Sequence, residues 1–168
     1  KGENQSSRNS GVLHAGIYYE QDIRPLKGRL CIEGNRLWSE FARKYQLPCK
    51  QTGKLMVAND QAESHILEKY ILQAEANGVP GVRKISADEV KKLEPNVCAH
   101  SALLIPTSGI VEPTALLRQV YASASNRGAV FMAETEVVDL ELSDEEVIVH
   151  LRYRDGHQDR IRANTVIN

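Results

Sequence analysis

Residues 5–19 read QSSRNSGVLHAGIYY, and this is the most unusual stretch of the chain. It places hydroxyl side chains, an amide, an arginine and small residues around a single histidine, His14. Serine hydroxyls, an arginine and free backbone N–H groups beside glycine are the donors that a phosphate or pyrophosphate group needs. The stretch therefore predicts a contact with a phosphorylated ligand, with the imidazole of His14 close to it. A polar segment that only leads into a turn has a similar composition, and this alternative stays open.

The composition of the 168 residues excludes several classes of protein. Hydrophobic residues make up 42% and charged residues 26%, which is typical of a globular protein. A net charge of −1 and an aromatic content of 5% favour no nucleic-acid partner. No apolar run approaches the roughly 18 residues of a membrane span. Cys31, Cys49 and Cys98 form no metal-ligand pattern, and reduced, mostly buried thiols indicate a cytoplasmic location.

Outward from this stretch, the first half of the chain carries helix and strand patterns in turn. Apolar residues at helical spacing predict a helix over Pro25–Tyr45, and a short apolar run predicts a strand over Leu55–Ala58. A second helix is predicted over residues 60–78, ending at a glycine. Ser86 and Glu89 have the spacing of a capping box, which predicts a third, short helix.

The character of the sequence changes after a helix predicted from Pro113 to Gly128. Beyond it, apolar and polar residues alternate in Glu146–Tyr153, the period of a half-solvated antiparallel strand, and Asp155-Gly156 predicts a hairpin turn. The α+β fold class follows, with a helical part before an antiparallel β-meander. Further strands are predicted over Val130–Ala133, Val137–Leu142 and Arg160–Ala163, and a buried strand over Thr165–Asn168.

Several segments of the chain resemble, in the same order, those of FAD-dependent oxidoreductases of the D-amino-acid-oxidase superfamily. The most specific is SRNSGVLHAGIYY at residues 7–19, and the nearest branch is the L-2-hydroxyglutarate oxidase/dehydrogenase group. The resemblance runs over essentially all 168 residues. The other matching segments are Leu26–Gly34, Gly53–Ala58, Ala76–Val79, Leu93–Pro95 and Pro106–Val111.

The resemblance implies an α/β flavoprotein fragment containing parts of two domains. Residues 1–24 are expected to contact the flavin, residues 25–112 to form a helical and mixed-sheet part of the substrate domain, and residues 113–168 to form a helix and the β-meander of the FAD-binding domain. Family members grip the ADP half of FAD with a strand–GxGxxG–helix unit, and no GxGxxG occurs in this sequence. We therefore expect an internal segment of a longer protein. By itself it should bind FAD weakly or not at all, and self-associate through exposed apolar faces.

The resemblance assigns cofactor contacts residue by residue. Val137 matches the position whose backbone meets the adenine, which is compatible with a side chain in a strand core. His14 is expected near the isoalloxazine ring, and covalent attachment of the flavin to it stays open. The residues expected to line the pyrophosphate and ribityl side of FAD are Ser6, Ser7, Arg8, Asn9, Ser10 and Gly11.

The implied reaction oxidises a 2-hydroxy acid, with L-2-hydroxyglutarate as the first candidate, to the 2-oxo acid. Hydride passes to the flavin, and a base must accept the hydroxyl proton. Imidazole titrates closest to neutral pH, so His14 is the candidate base, with a flavin contact or a core histidine as alternatives. Lys54 is the candidate contact for a substrate carboxylate, against the alternative of a solvated lysine at a strand edge.

Two departures from the family pattern leave the substrate open. Arg8 stands where several 2-hydroxyglutarate enzymes have histidine and where glycerol-3-phosphate dehydrogenases have arginine. Glu112 and Pro113 stand where an acidic or polar residue followed by an aromatic one is common. The alternatives are a superfamily member acting on glycerol 3-phosphate or an amino acid, and a non-catalytic α+β binding module. The expected partner is a small molecule, with at most a peripheral contact to the inner membrane.

Overall fold

The structure, a computed structural model, describes residues 5–20 and 25–167. The chain divides into two compact units, Lys1–Ala122 and Ser123–Asn168. The boundary lies inside a helix, α4, that spans Pro113–Ser125. The predicted division into parts of a substrate domain and an FAD-binding domain stays a prediction.

The first unit contains four helices, counting α4, and six short strands among its described residues. They form two three-stranded sheets with the orders β1-β6-β2 and β3-β5-β4. All of these pairs are antiparallel, whereas the family resemblance implied a mixed sheet in this part of the chain. In chain order the elements are β1 (Val12–Leu13), α1 (Pro25–Lys44), β2 (Cys49–Lys50), β3 (Lys54–Ala58), α2 (Gln61–Ala76), β4 (Arg83–Ser86), α3 (Ala87–Leu93), β5 (Ser101–Ile105), β6 (Gly109–Val111) and α4.

The helix boundaries follow from local capping. The Asp60 side chain accepts a hydrogen bond of 2.8 Å from the Glu63 N–H at the start of α2. Gly78, with φ +70°, lies just beyond its end. At α3, Ser86 and Glu89 form the predicted capping box. These bounds confirm the predicted helices. They were predictable because the capping residues are neighbours of the helices in the sequence.

The core of the first unit lies around β5. Leu103 and Ile105 are fully buried, and they join Leu67 of α2 in one apolar cluster. Ile17, five residues after β1 begins, is buried in the same cluster. The segment that follows β1 is therefore anchored in the core at Ile17, and this fixes the chain on either side of it.

The second unit is an antiparallel β-meander, as predicted. Its strands are β7 (Thr135–Leu142), β8 (Val147–Tyr153) and β9 (Gln158–Ala163), in the order β7-β8-β9. Val149 and Leu151 of the central strand are buried, which agrees with the alternation in the sequence. The α+β fold class is confirmed.

Two predicted strands are wrong. Val130–Ala133 precedes β7 without strand structure, and Val130 is 85% exposed. Thr165–Ile167 also lies outside any strand, with Ile167 93% exposed, and the last residue of that prediction falls outside the described residues. An apolar run becomes a strand only when its backbone N–H and C=O groups pair with a neighbouring strand. Within the described residues, no strand pairs with either run.

The prediction of mostly buried cysteines is also wrong. All three thiols are free, with Cys31 and Cys49 half-buried and Cys98 exposed in the loop after α3. Burial raises the pKa of the Cys31 thiol, and the nearby Lys27 ammonium opposes that shift. The Cys31 thiol is therefore the neutral, protonated form near neutral pH.

The first turn of α4 should make the fold sensitive to acid. The Glu112 carboxylate accepts hydrogen bonds from the Thr114 hydroxyl and backbone N–H, and these bonds lower the pKa of Glu112 from its ordinary 4.5. A lowered pKa in the folded state gives stability that is present above 4.5 and is lost as the pH falls through the folded value. We expect the melting temperature to drop over that window. In Glu112→Gln, which carries no titrating group there, the drop should be smaller, and an identical drop in both proteins would contradict this account.

Candidate functional site

The polar residues at the start of the stretch 5–19 are held in shape by one side chain, that of Asn9. Its amide nitrogen donates to the carbonyls of Gln5, at 2.8 Å, and Ser6, at 3.2 Å, across the 3-10 turn Gln5–Ser7. Its side-chain oxygen accepts from the Gly11 N–H at 2.9 Å. Both ends of the Asn9 amide are thus bonded to the chain's own backbone. The predicted cofactor contact of Asn9 stays a prediction, and its visible function is to shape the segment.

The other polar residues of the segment are exposed. Residues 5–10 are all exposed, and they include Ser6, Ser7, Arg8 and Ser10. Hydroxyls and a guanidinium on one tight turn are suited to the oxygens of an anionic group such as a pyrophosphate. The chemistry of this donor set fits the cofactor that the sequence predicts.

Gly11 joins this turn to the first sheet. It has φ +67°, and its carbonyl accepts from the Val111 N–H at 2.8 Å. A Cβ at Gly11 would lie 2.7 Å from the Val111 carbonyl oxygen, too close for any side chain. Only glycine suits both the backbone conformation and this approach. Gly11 is buried, and its place in the structure is explained by packing of backbone against backbone.

His14 directly follows β1 and its side chain is exposed. The alternative of a core histidine is therefore wrong, while the roles of base and flavin contact stay predictions. Side chains of α1 contact the His14 backbone carbonyl. The Asn35 amide nitrogen donates to the His14 carbonyl at 2.9 Å, and the Cys31 thiol lies 3.7 Å from the same oxygen.

Three chain segments converge beside His14. Leu13 pairs with Gly109 in the β1–β6 ladder. The carbonyl of the preceding residue, Ser108, accepts from the Gly53 N–H at 2.9 Å. The end of β1, the turn before β6 and the start of β3 are therefore neighbours, and Lys54 lies at the first position of β3.

The Lys54 ammonium is not free in solvent. It donates to the Tyr18 hydroxyl and lies 4.6 Å from the centroid of the Tyr18 ring, an arrangement that combines a hydrogen bond with a cation–π contact. The Tyr18 ring in turn meets the Tyr70 ring edge to face, with centroids 5.9 Å apart. β3 is an edge strand of its sheet, as the alternative of a strand-edge lysine requires. The structure thus gives Lys54 a fixed position near the stretch 5–19, and its contact with a substrate stays a prediction.

The sequence analysis missed Asn35 and Thr107. The Asn35 amide nitrogen also donates to the Thr107 carbonyl, at 2.9 Å, and the Thr107 hydroxyl oxygen is buried without a partner among the described residues. Both residues line a cleft of about 1160 Å³ along α1, which contains none of the predicted site residues. An asparagine inside an amphipathic helix was the one hint of such a role in the sequence, because asparagine is a poor helix former.

Val137 lies in the second unit, on the edge strand β7. Its backbone pairs with Leu151, and the pairing then shifts by one residue, so that Asp139 pairs with His150. Its side chain is 56% exposed. An edge strand next to such an irregularity has backbone groups on one side that no described strand uses, which is compatible with a backbone contact to a ligand.

Among the described helices, none combines the length and apolarity that crossing a bilayer requires. The described part of the chain also contains no group of three or more His, Cys, Asp or Glu side chains placed to hold a metal ion.

Comparisons with known proteins bear on the whole chain. The family model described as DAO, FAD dependent oxidoreductase, matches residues 1–168. A curated relative from Pongo abelii, named L-2-hydroxyglutarate dehydrogenase, mitochondrial, is 35% identical over 141 residues. The match covers 84% of this chain and 33% of that protein. The chain thus spans about a third of the length of the curated relative it matches.

Two solved structures are similar in fold. Glycine oxidase from Geobacillus kaustophilus gives a TM-score of 0.78 at 20% identity, covering 98% of this chain and 45% of that one. L-alpha-glycerophosphate oxidase from Mycoplasma pneumoniae, solved with FAD bound, gives a TM-score of 0.74 at 25% identity, covering 88% of this chain and 39% of that one.

Proposed function

Since the chain belongs to the DAO family of FAD-dependent oxidoreductases, we propose that it forms part of an enzyme that oxidises L-2-hydroxyglutarate to the 2-oxo acid. One observation carries the proposal. An exposed histidine, His14, directly follows a strand whose other end carries a turn of exposed hydroxyl and guanidinium donors. The name and 35% identity of the relative from Pongo abelii support the choice of substrate.

The cofactor in this proposal is FAD, bound at the polar turn before β1. Ser6, Ser7, Arg8 and Ser10 are exposed there, and their side chains carry the donors that pyrophosphate oxygens accept from. For Val137, which lies in the second unit, the backbone contact to the adenine stays a prediction. When bound, FAD supplies the two-electron oxidant.

Within this site, His14 accepts the proton of the substrate hydroxyl. The imidazole is exposed, while its backbone is anchored by Asn35, so the ring has a fixed origin and an accessible nitrogen. Lys54 binds a substrate carboxylate. Its ammonium is already oriented by Tyr18. A carboxylate of the dicarboxylic substrate would take the place of water molecules around this ammonium.

A second candidate substrate is glycerol 3-phosphate. Arg8 favours it because a guanidinium binds a phosphate group well. The glycerophosphate oxidase from Mycoplasma pneumoniae, 25% identical, supports it as well. A non-catalytic binding module does not fit membership of a family of oxidoreductases.

The test uses the complete natural protein that contains this chain, saturated with FAD. We expect L-2-hydroxyglutarate to bleach the flavin absorbance under anaerobic conditions, and D-2-hydroxyglutarate and glycerol 3-phosphate to leave it unchanged. Bleaching by glycerol 3-phosphate alone would move the proposal to the second candidate.

For residues 1–168 alone we propose weak or no FAD binding, with self-association through apolar surface. Tight stoichiometric binding in an FAD titration, or a monomer in size-exclusion chromatography, would contradict the corresponding part. A cytoplasmic location is likewise a proposal, which localisation of the tagged protein would test.

A further inference from the structure

The side chain of Asn35 joins two distant parts of the chain. It lies on α1 and is 8% exposed. Its amide nitrogen donates to the His14 carbonyl and to the Thr107 carbonyl, each at 2.9 Å. These carbonyls are 21 and 72 residues away from Asn35 in the sequence. Both N–H groups of one amide are therefore used to connect β1, through its next residue, with the turn between β5 and β6.

An asparagine at this buried helical position destabilises the fold unless its amide forms hydrogen bonds. Asparagine lowers helix stability relative to alanine or leucine, and a buried amide without partners is unfavourable. Here both donors are satisfied, and the Asn35 backbone carbonyl also accepts a hydrogen bond from the Ser39 hydroxyl at 2.8 Å. The hydrogen bonds compensate for burying the amide. An asparagine at this point of α1 therefore holds two distant carbonyls in place, although alanine or leucine would make the helix more stable.

We propose that Asn35 is a positioning residue for the oxidation reaction, acting through His14. The Asn35 side chain fixes the backbone of His14, from which the imidazole projects. It also fixes the turn that contains Thr107. The inference rests on the proposed function, because it takes His14 to be the group that meets the flavin and the substrate. An exposed imidazole turns about its two side-chain torsions, so the position of its backbone sets the region that the ring nitrogen can reach.

Asn77 provides a matched control. Its amide nitrogen also donates to two backbone carbonyls, those of Gly16 at 3.0 Å and Tyr19 at 2.8 Å. It thus stabilises the same loop by the same kind of bond, yet it bonds to neither His14 nor Thr107. A general loosening of the loop should follow from either substitution, and a displaced His14 only from that of Asn35.

The experiment compares Asn35→Ala and Asn77→Ala in the complete flavin-loaded protein. Both variants are expected to melt at lower temperature. Asn35→Ala should also lower kcat about 10- to 100-fold with KM changed less than about 3-fold, since small misplacements of a catalytic group cost rate rather than binding. It should shift the visible absorption bands of the bound flavin. Asn77→Ala should keep the wild-type kcat and spectrum.

Asn35→Ser, which keeps one donor, should give an intermediate loss of kcat and is judged by the same criteria if the alanine variant does not fold. The inference is overturned if Asn35→Ala or Asn35→Ser keeps the wild-type kcat and flavin spectrum. It is also overturned if the variants of both asparagines lose kcat in proportion to their loss of melting temperature. Failure of the proposed function is a separate result, since the wild-type protein would then leave L-2-hydroxyglutarate unoxidised. The flavin spectra of the Asn35 and Asn77 variants would still differ if Asn35 positions His14.

Discussion

Replacing His14 by glutamine is expected to lower kcat for L-2-hydroxyglutarate by about 100- to 10,000-fold, the range for loss of a general base. Glutamine is close to histidine in size and keeps hydrogen-bonding groups, but it does not accept a proton near neutral pH. The His14 side chain is exposed, so the substitution should leave the core around Ile17 and Leu103 intact. The measurement is the rate of anaerobic flavin bleaching in the complete protein, with its melting temperature alongside.

His65→Gln is the matched control. This histidine is also exposed, lies on α2, and contacts the Gln61 side chain at 3.3 Å. We expect its variant to keep the wild-type rate. A His14→Gln protein with more than about a tenth of the wild-type rate would remove His14 as the base. Loss of bound flavin in place of loss of rate would make His14 a cofactor contact.

Replacing Gly11 by alanine is expected to destabilise the protein by about 1–3 kcal/mol, because a residue with a side chain is strained at φ +67°. The Cβ would also lie 2.7 Å from the Val111 carbonyl oxygen, which is a backbone atom of the paired strand and has little room to adjust. The β1–β6 pairing should therefore open at this end. Because β1 leads directly to His14, we expect flavin binding to weaken along with the melting temperature.

Gly34→Ala should have the opposite sign. Gly34 lies inside α1, and apart from its chain neighbours and the backbone of its own helix no described atom is within 4 Å of the place where its Cβ would be. Alanine in the interior of a helix is more stable than glycine by about 0.5–1 kcal/mol. Thermal unfolding of both variants measures the contrast. Equal effects of the two substitutions would show that the backbone conformation at Gly11 is not the cause.

Much of the fold was predictable from neighbouring residues. The bounds of α2 and α3 depend on Asp60 and on Ser86 with Glu89, each of which caps a helix within three positions of itself. The same holds for the hairpin between β8 and β9, which Asp155-Gly156 forms locally. Val130–Ala133 is as apolar as a typical buried strand, yet it forms no strand. A strand also needs a pairing partner from elsewhere in the chain.

The candidate site divides in the same way. The sequence by itself determined the turn of polar donors and the presence of His14 after it, since residues 5–14 are contiguous and their residue types state their chemistry. Only the tertiary structure decided that His14 is exposed, that Lys54 bonds to Tyr18, and that Asn35 connects His14 with Thr107. These contacts join residues 21 to 72 positions apart. Periodicity and capping act over a few residues, whereas contacts over such separations exist only after the sheets and helices have packed.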